Sequence, residues 1–481
     1  MAQKDLKAVK IFLLSHLSND ANYQRKRLLV HLEPLRRRLD VLFYDSSEIA
    51  PGKIYASEIE RHLQTANIIL FLISPDFIAH YHRDGREVDH AIKRYDEENI
   101  RIIPILLVPA AWKETPLAKF LPKEGQSVSQ WPDQEVACLN IKEEIDKAVD
   151  EVYKEKAANE TRKRDYINKA RAHFHQGNYR AALDDYERAI QIDRSDASLY
   201  EDKGDVQFAL KEFEKALISY ESALKLTSEP SGLLSGKKGQ ALFNLARYSE
   251  AEIAYQQAIR CTPDKADFFI GLGDTRLAPG RLKDAIASYE RGCQLEPGNA
   301  QFHIKLGDAH LKNANVKQAL ASYESAYKLE PTNAQSCVKL GDVYLSLSSH
   351  IKAIDYYEQA IRLQPQDAKI HRSKARAQFA FAKLSNTNGA YYTKALETYR
   401  IALTLDANDP YSYKEVGDIF LRLWQLDNAL DAYERAIRLK PDFSQAYRCQ
   451  GDVFDKKASE LQERARQARK KADEIEHSNN K

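Results

Sequence analysis

One acidic side chain, Glu87, stands in the sequence where an open α/β sheet presents side chains to a ligand. The apolar run Ile68–Ile73 is short and β-branched, which predicts a buried strand. Ser74–Asp76 ends that strand because proline cannot continue a central ladder, and helical spacing of apolar residues begins at Arg86. Ligands bind at the carboxyl edge of such sheets. The pattern therefore predicts a candidate active site made of a strand, a short irregular loop and a carboxylate on a helix.

Glu87 and the histidines near it also have structural interpretations. An acid in the first turn of a helix is stabilised by the helix dipole, whether or not it takes part in chemistry. His80, His82 and His90 lie close to Glu87 in the chain, and we interpret them as parts of a surface loop. No metal site is predicted from them.

Strand and helix signals alternate over the first 150 residues. Strands are predicted at Lys10–His16, Val41–Asp45, Ile68–Ile73 and Arg101–Leu107. Helices are predicted at Tyr23–Arg38, at Ser57–Ala66 with Ser57 as the N-cap, after Arg86 and from Ile141 onward. This order predicts a parallel sheet with helices on both faces.

Four stretches of this region resemble the sequence boxes of a Toll/interleukin-1 receptor (TIR) domain. They are KIFLLSHLSND, FYDSSEIAPGK, LISPDF with Glu87 downstream, and the segment from Pro109 to Asp133, which is similar to TIR domains of the bacterial type. The resemblance covers about residues 8–150 and implies a flavodoxin-like α/β fold. We predict that this domain spans residues 1–150.

The resemblance implies two kinds of function. Some TIR domains only assemble with other TIR domains in immune signalling. Others hydrolyse NAD⁺, release nicotinamide and leave ADP-ribose or cyclic ADP-ribose, using one glutamate on the helix after the third strand. By position that glutamate is Glu87. NAD⁺ is then the substrate, and no cofactor is needed.

The resemblance also implies which residues surround the substrate. The implied NAD⁺-binding residues are His16, Leu17, Ser18, Asp45, Lys53, Tyr81 and Arg83. Enzymatic relatives commonly carry an aromatic residue at the position of Arg83, so Tyr81 is the alternative stacking surface. In the family the loop that matches Ser46–Ala56 contacts a neighbouring protomer, which implies a homo-oligomer or a filament.

A second pattern begins at Asp165. Tyrosines recur 34 or 35 residues apart, with one spacing of 42, at Tyr186, Tyr220, Tyr255, Tyr289, Tyr323, Tyr357, Tyr399 and Tyr433. Alanine stands four residues before each tyrosine and glycine sixteen before most. This period resembles tetratricopeptide (TPR) repeats. We predict a charged helical linker at 151–164, eight repeats in an all-α superhelical solenoid at 165–442, and capping helices with a polar tail at 443–481.

Six aspartates follow the repeat glycine or its equivalent position. They are Asp205, Asp274, Asp308, Asp342, Asp418 and Asp452. In this repeat family the position faces the concave groove, where carboxylates favour a basic protein or peptide partner. The alternative is that they pair with lysines and arginines of adjacent repeats.

The eight extra residues between Tyr357 and Tyr399 predict a lengthened hairpin turn, with a docking element as the alternative.

Composition narrows the function classes. The net charge of +2 gives no strong attraction to nucleic acid or to an anionic membrane. The apolar run near the N-terminus is interrupted by Lys10, so neither a signal peptide nor a membrane span is predicted, and we expect a cytoplasmic protein.

The predicted function is an NAD⁺ hydrolase controlled by its repeats, in innate immune or antiphage defence. The alternative is a non-enzymatic scaffold that assembles signalling complexes.

Overall fold

The computed structural model describes residues 8–16, 19–38, 40–49, 53–98, 100–121, 125–384 and 389–479. Within these residues the N-terminal region forms one sheet of four parallel strands in the order β2-β1-β3-β4. The strands are β1 (Val9–Ser15), β2 (Val41–Asp45), β3 (Ile68–Ile73) and β4 (Arg101–Leu106). The predicted parallel sheet is confirmed, with strand ends within one residue of those predicted.

Helices cover both faces of this sheet. They are α1 (Asn19–Arg36), α2 (Lys53–Thr65), α3 (Pro75–Arg83), α4 (Arg86–Glu98) and α5 (Gln134–His175). Alternate side chains of a strand point to opposite faces, so Leu70 joins a core with α1 and α5, whereas Phe71 joins a core with α2, α3 and α4. Every residue of β3 is buried, as expected for a strand covered on both faces.

Two local predictions are wrong. The segment between β3 and Glu87 is mostly helix, because Ser74 and Pro75 start α3 at the point where they end the strand. The Ser74 hydroxyl accepts a hydrogen bond from the Phe77 amide at 3.1 Å, and proline at the first position has the backbone angle that a helix needs. Ser57 is not an N-cap, because α2 already begins at Lys53.

Helix α5 runs for 42 residues without a break, about 63 Å at 1.5 Å per residue. Its first half packs into the sheet core through Cys138, Ile145 and Val149, and its last turns pair with the next helix. The predicted linker at 151–164 is therefore helical. The chain divides into two compact units, Met1–Arg194 and Ser195–Lys481, so the predicted domain boundaries stay a prediction.

Helical pairs follow α5. The helices are α6 (Tyr179–Ile192), α7 (Ala197–Ala209), α8 (Phe213–Leu226), α9 (Gly232–Asn244), α10 (Tyr248–Cys261), α11 (Ala266–Leu277), α12 (Leu282–Leu295), α13 (Ala300–Lys312), α14 (Val316–Leu329), α15 (Ala334–Ser346), α16 (His350–Leu363), α17 (Ala368–Leu384), α18 (Ala390–Leu405), α19 (Pro410–Arg422), α20 (Leu426–Leu439) and α21 (Ser444–Asn479). All eight repeat tyrosines are buried on the second helix of a pair. The extra residues lengthen α17 and α18 to 17 and 16 residues. The lengthened hairpin turn stays a prediction, because residues 385–388 lie outside the described residues.

Repeat glycines let these tyrosines pack directly against the first helix of the same pair. A Cβ atom added at Gly307 would lie 2.5 Å from the ring of Tyr323, closer than side chains pack. The buried hydroxyl of Tyr323 donates a hydrogen bond to Asp308 at 2.6 Å, which satisfies its polar end. The same glycine–tyrosine approach recurs at Gly204–Tyr220, Gly273–Tyr289, Gly341–Tyr357 and Gly417–Tyr433.

We expect Gly307→Ala to destabilise the repeats by about 1–3 kcal/mol, because the added methyl group must displace the Tyr323 ring. Gly451 stands at the same repeat position but has no atom within 4 Å of an added Cβ. Gly451→Ala is expected to stabilise the chain by about 0.5–1 kcal/mol, since alanine favours a helix. The measurement is the urea midpoint of the helical circular-dichroism signal. Equal midpoints for the two variants would contradict the packing argument.

Candidate active site

Glu87 lies in the first turn of α4, beyond the carboxyl end of β3. The carbonyl oxygen of Gly85 accepts hydrogen bonds from the Val88 and Asp89 amides at 3.1 and 3.0 Å and so anchors this end of the helix. The Glu87 side chain is 23% exposed. Partial burial at a helix N-terminus gives the carboxylate a fixed position and a favourable helix dipole.

Two histidines flank the Glu87 carboxylate. His16 Nε2 lies 3.4 Å from Glu87 Oε2, and His80 Nε2 lies 3.7 Å from the same oxygen. The two imidazole rings stack with their centroids 3.7 Å apart and their planes 20° apart. These three side chains come from the residue after β1, from α3 and from α4. They form the candidate active site.

A buried serine joins the elements that carry the two histidines. Ser74 Oγ donates a hydrogen bond to the His16 carbonyl oxygen at 2.9 Å and accepts one from the Phe77 amide at 3.1 Å. The end of β1 and the start of α3 are therefore held by one hydroxyl group. This contact explains why His16 and His80 meet although they are distant in sequence.

The charge state of His80 follows from its surroundings. Burial and the nearby His16 lower the pKa of His80 below its usual value, although Glu87 acts in the opposite direction. His80 is therefore neutral at pH 7, and either nitrogen can donate or accept, depending on the tautomer. A carboxylate flanked by imidazoles can hold hydroxyl groups and stabilise a positive charge that develops beside it.

Comparison with known families decides what this region is. Residues 12–139 match the TIR domain family. Tetratricopeptide repeat families match residues 164–196, 197–230, 235–265, 273–313, 304–385 and 388–444. The chain carries a TIR domain followed by tetratricopeptide repeats. This combination supports a signalling or adaptor role.

A curated relative shares part of the chain. An uncharacterized protein, y4lF, of Sinorhizobium fredii (strain NBRC 101917 / NGR234) is 30% identical over 130 residues. The match spans 27% of this chain and 40% of that protein, so the chain spans about two fifths of the relative's length.

Several solved structures are similar in fold. MamA is 23% identical with a TM-score of 0.33, over 37% of this chain and 92% of that one. The C-terminal part of a TPR protein from Cytophaga hutchinsonii is 17% identical with a TM-score of 0.44, over 51% and 97%. Pseudomonas aeruginosa PilF is 21% identical with a TM-score of 0.39, over 46% and 99%. In the part of the chain that the structure describes, no helix is both long and apolar enough for a membrane span.

Asp45 of the TIR domain is buried at the end of β2 and already has partners. Its Oδ1 accepts hydrogen bonds from the Ser47 amide and hydroxyl at 2.9 and 2.8 Å, and Oδ2 pairs with Arg25. These contacts position the turn after β2. Asp45 therefore has a structural role, and its predicted contact with NAD⁺ stays a prediction.

Three of the predicted NAD⁺-binding positions cannot be placed. Leu17 and Ser18 lie outside the described residues. Lys53 begins α2, but its side chain is not among the described ones. Their proposed contacts with NAD⁺ stay predictions.

Tyr81 and Arg83 lie on the last turns of α3, close to Glu87 in sequence. The Tyr81 ring packs on the turn before α4, where a Cβ added at Gly85 would lie 2.8 Å from it, and it borders the core below. Arg83 is exposed, and its Nε donates to the Ala79 carbonyl oxygen at 3.2 Å. Their contacts with NAD⁺ stay predictions.

His80 is the residue of this site that the sequence did not assign to NAD⁺. Its position in the sequence groups it with His82 and His90, but the ring that stacks on it belongs to His16. His82 is exposed, with its ring 5.6 Å from Tyr81. A helix starting at Ser74–Pro75 could have been predicted from its cap, whereas the contact with His16 could not.

The groove aspartates of the repeats differ in their partners. Asp205, Asp274 and Asp308 each accept a tyrosine hydroxyl and pair with a lysine of the following repeat: Lys237 at 2.6 Å, Lys305 at 2.7 Å and Lys339 at 2.8 Å. Asp418 pairs with Lys414 of its own helix at 2.7 Å. These contacts favour the structural alternative for these four. Asp342 accepts a tyrosine hydroxyl too, from Tyr357 at 2.6 Å, but it is exposed and Ser373 stands where the lysine would be. A binding role therefore stays open there and at Asp452.

Proposed function

We propose that the TIR domain hydrolyses NAD⁺, with Glu87 as the catalytic residue. The observation that supports it is the convergence of Glu87, His16 and His80 at the carboxyl edge of the sheet, 3.4 and 3.7 Å apart. Ligands bind at that edge in open α/β sheets. The products are nicotinamide and either ADP-ribose or its cyclic form.

The chemistry needs little machinery. The bond between C1′ of the ribose and the nicotinamide nitrogen breaks, and its electron pair returns to the ring, which leaves as a neutral molecule. No general acid is required. Glu87 accepts hydrogen bonds from the ribose hydroxyl groups and stabilises the oxocarbenium-like charge on the sugar. Water then adds to C1′ and releases a proton to solvent, which gives ADP-ribose; the cyclic form results when the adenine ring of the same molecule adds in place of water. His16 and His80 keep the carboxylate in place.

The repeats would control this activity by binding a protein or peptide partner and by bringing TIR domains together. Asp342 is a candidate contact for a basic group of that partner, because it is exposed and lacks the lysine found at Asp274 and Asp308. We extend the proposal to a role in innate immune or antiphage defence, which the likeness to TIR domains supports.

A second function is a scaffold without enzymatic activity. Two observations favour it: exposed Arg83 stands where enzymatic relatives carry an aromatic residue, and the Tyr81 ring is packed against Gly85. The purified full chain incubated with NAD⁺ distinguishes the two. Nicotinamide measured by chromatography supports the hydrolase. No release at any protein concentration supports the scaffold.

The activity should fall as the pH is lowered below about 6.5, the usual pKa of a histidine side chain. Burial and His16 hold the pKa of His80 low, so its charge appears only in this acidic range, where it pairs with Glu87 and competes with the ribose hydroxyls. Arg83 and Asp84 also act on His80, in opposite directions. The measurement is kcat/KM against pH. His80→Gln should flatten the acidic decline, and His82→Gln should leave it unchanged.

An acidic decline that is identical in His80→Gln and in the unmodified protein would rule out His80 as its cause. Circular dichroism at each pH shows whether the TIR domain is still folded. A decline that coincides with unfolding would also contradict this assignment.

A further inference from the structure

Three metal-binding side chains converge in the TIR domain. His16, His80 and Glu87 each offer one ligand atom, a ring nitrogen or a carboxylate oxygen, and these atoms all lie within 4.8 Å of one another. The two nitrogen–oxygen separations are 3.4 and 3.7 Å. Two ligand atoms of one tetrahedral zinc ion lie about 3.4 Å apart, given bonds of about 2.1 Å. The atoms are therefore close to the separation that a shared ion requires.

We propose that His16, His80 and Glu87 form a binding site for a divalent transition-metal ion, with Zn²⁺ the best match. Two imidazole nitrogens and one carboxylate oxygen suit zinc, nickel or copper, whereas magnesium and calcium prefer oxygen ligands alone. Three protein ligands leave a fourth position for water. The three side chains are 20%, 31% and 23% exposed, so an ion can reach them from solvent.

Binding requires a small rearrangement. The imidazole lone pairs lie in the ring planes, and the two planes are only 20° apart, so both rings must turn to aim at one ion. The torsion that turns an imidazole is broad, and a rotation about it is inexpensive. The backbone can remain in place, because Ser74 holds the end of β1 and the start of α3.

A bound ion would occupy the same Glu87 oxygen that the proposed mechanism uses. Metal and NAD⁺ would then compete, and Zn²⁺ would inhibit nicotinamide release. This consequence rests on the proposed hydrolase function, whereas metal binding itself does not.

Binding is tested by titrating chelator-treated full-length protein with Zn²⁺ in a calorimeter, with Mg²⁺ and Ca²⁺ as comparisons. The visible absorption of Co²⁺ provides a second measurement, since it reports the coordination geometry. We expect one saturable Zn²⁺ site, weakened at least about tenfold by His16→Ala or His80→Ala. His82→Ala and His90→Ala are matched controls and should bind as the unmodified protein does. Circular dichroism checks that each variant is folded.

The possible results separate the proposals. No saturable Zn²⁺ binding, or equal binding by the His16→Ala, His80→Ala and control variants, would overturn the metal site. Binding lost in His80→Ala but retained in His82→Ala supports it even if NAD⁺ is never cleaved. If NAD⁺ is cleaved by a Glu87-dependent reaction that saturating Zn²⁺ does not slow, the inhibitory role is wrong while the hydrolase proposal stands.

Discussion

Glu87→Gln should lower the rate of nicotinamide release by at least about a hundredfold, the scale on which loss of one preorganised polar contact acts. Glutamine keeps the size and the hydrogen-bonding shape of the side chain but removes its negative charge. The oxocarbenium-like state then loses its counter-charge, because the two side chains that flank the carboxylate, His16 and His80, carry no negative charge. The measurement is kcat for NAD⁺ cleavage by the full-length variant.

The matched control is Asp89→Asn. Asp89 lies in the first turn of the same helix and is exposed. Its substitution removes the same kind of helix-dipole interaction without changing His16, His80 or Glu87. Each substitution should cost only about 0.3–1 kcal/mol of stability, which leaves the TIR domain folded. A folded Glu87→Gln protein with unchanged kcat, or an Asp89→Asn protein equally impaired, would exclude Glu87 as the catalytic residue.

The second large effect concerns protein concentration. Specific activity should rise by up to about a hundredfold when the protein is concentrated about a hundredfold, because scarce assemblies form by mass action. The reason lies in the site: His16, His80 and Glu87 are all partly open to water, which weakens electrostatic stabilisation. A neighbouring TIR domain that covers the site would exclude this water. Initial rates over a dilution series provide the measurement.

Loop variants test whether assembly causes that rise. The resemblance implies that the loop after β2 contacts the neighbour, and its residues 50–52 lie outside the described residues. Replacing Pro51 and Gly52 should remove the concentration dependence, although neither is among the implied NAD⁺-binding residues. Lys53 is left unchanged because it belongs to that set. An inert protein added to the dilute samples controls for surface loss. Constant specific activity in the unmodified protein would show that the site is complete within one chain.

Elements with a regular pattern were predicted closely. The strands Val41–Asp45 and Ile68–Ile73 have the predicted ends because a strand buried on both faces must be apolar throughout. All eight repeat tyrosines are buried, and six of them pack on the glycine sixteen positions earlier in their repeat. Such patterns are local or strictly repeated, so they can be read along the chain.

The ion-pair partners of the groove aspartates could not be predicted from the sequence. From their spacing alone, a ladder for a basic partner and a set of structural ion pairs were equally compatible. The tertiary structure places Lys305 and Lys339 within 3 Å of Asp274 and Asp308. It also leaves Asp342 exposed. The packing of neighbouring helices decides which of these carboxylates pair with a lysine. The spacing of residues along the chain does not specify the partner of each charge.

In the candidate active site, too, the sequence predicts one residue but not the residues that surround it. Glu87 could be located from the sequence, because a strand, a helix start and the rule for parallel sheets together define one edge. Its partners could not, since His16 and His80 are 64 positions apart and meet only because β1 and β3 are neighbours in the sheet. Ser74 completes that contact with one hydroxyl. Strand order and a buried hydrogen bond, neither of which has a periodic signature, decide which side chains surround the carboxylate.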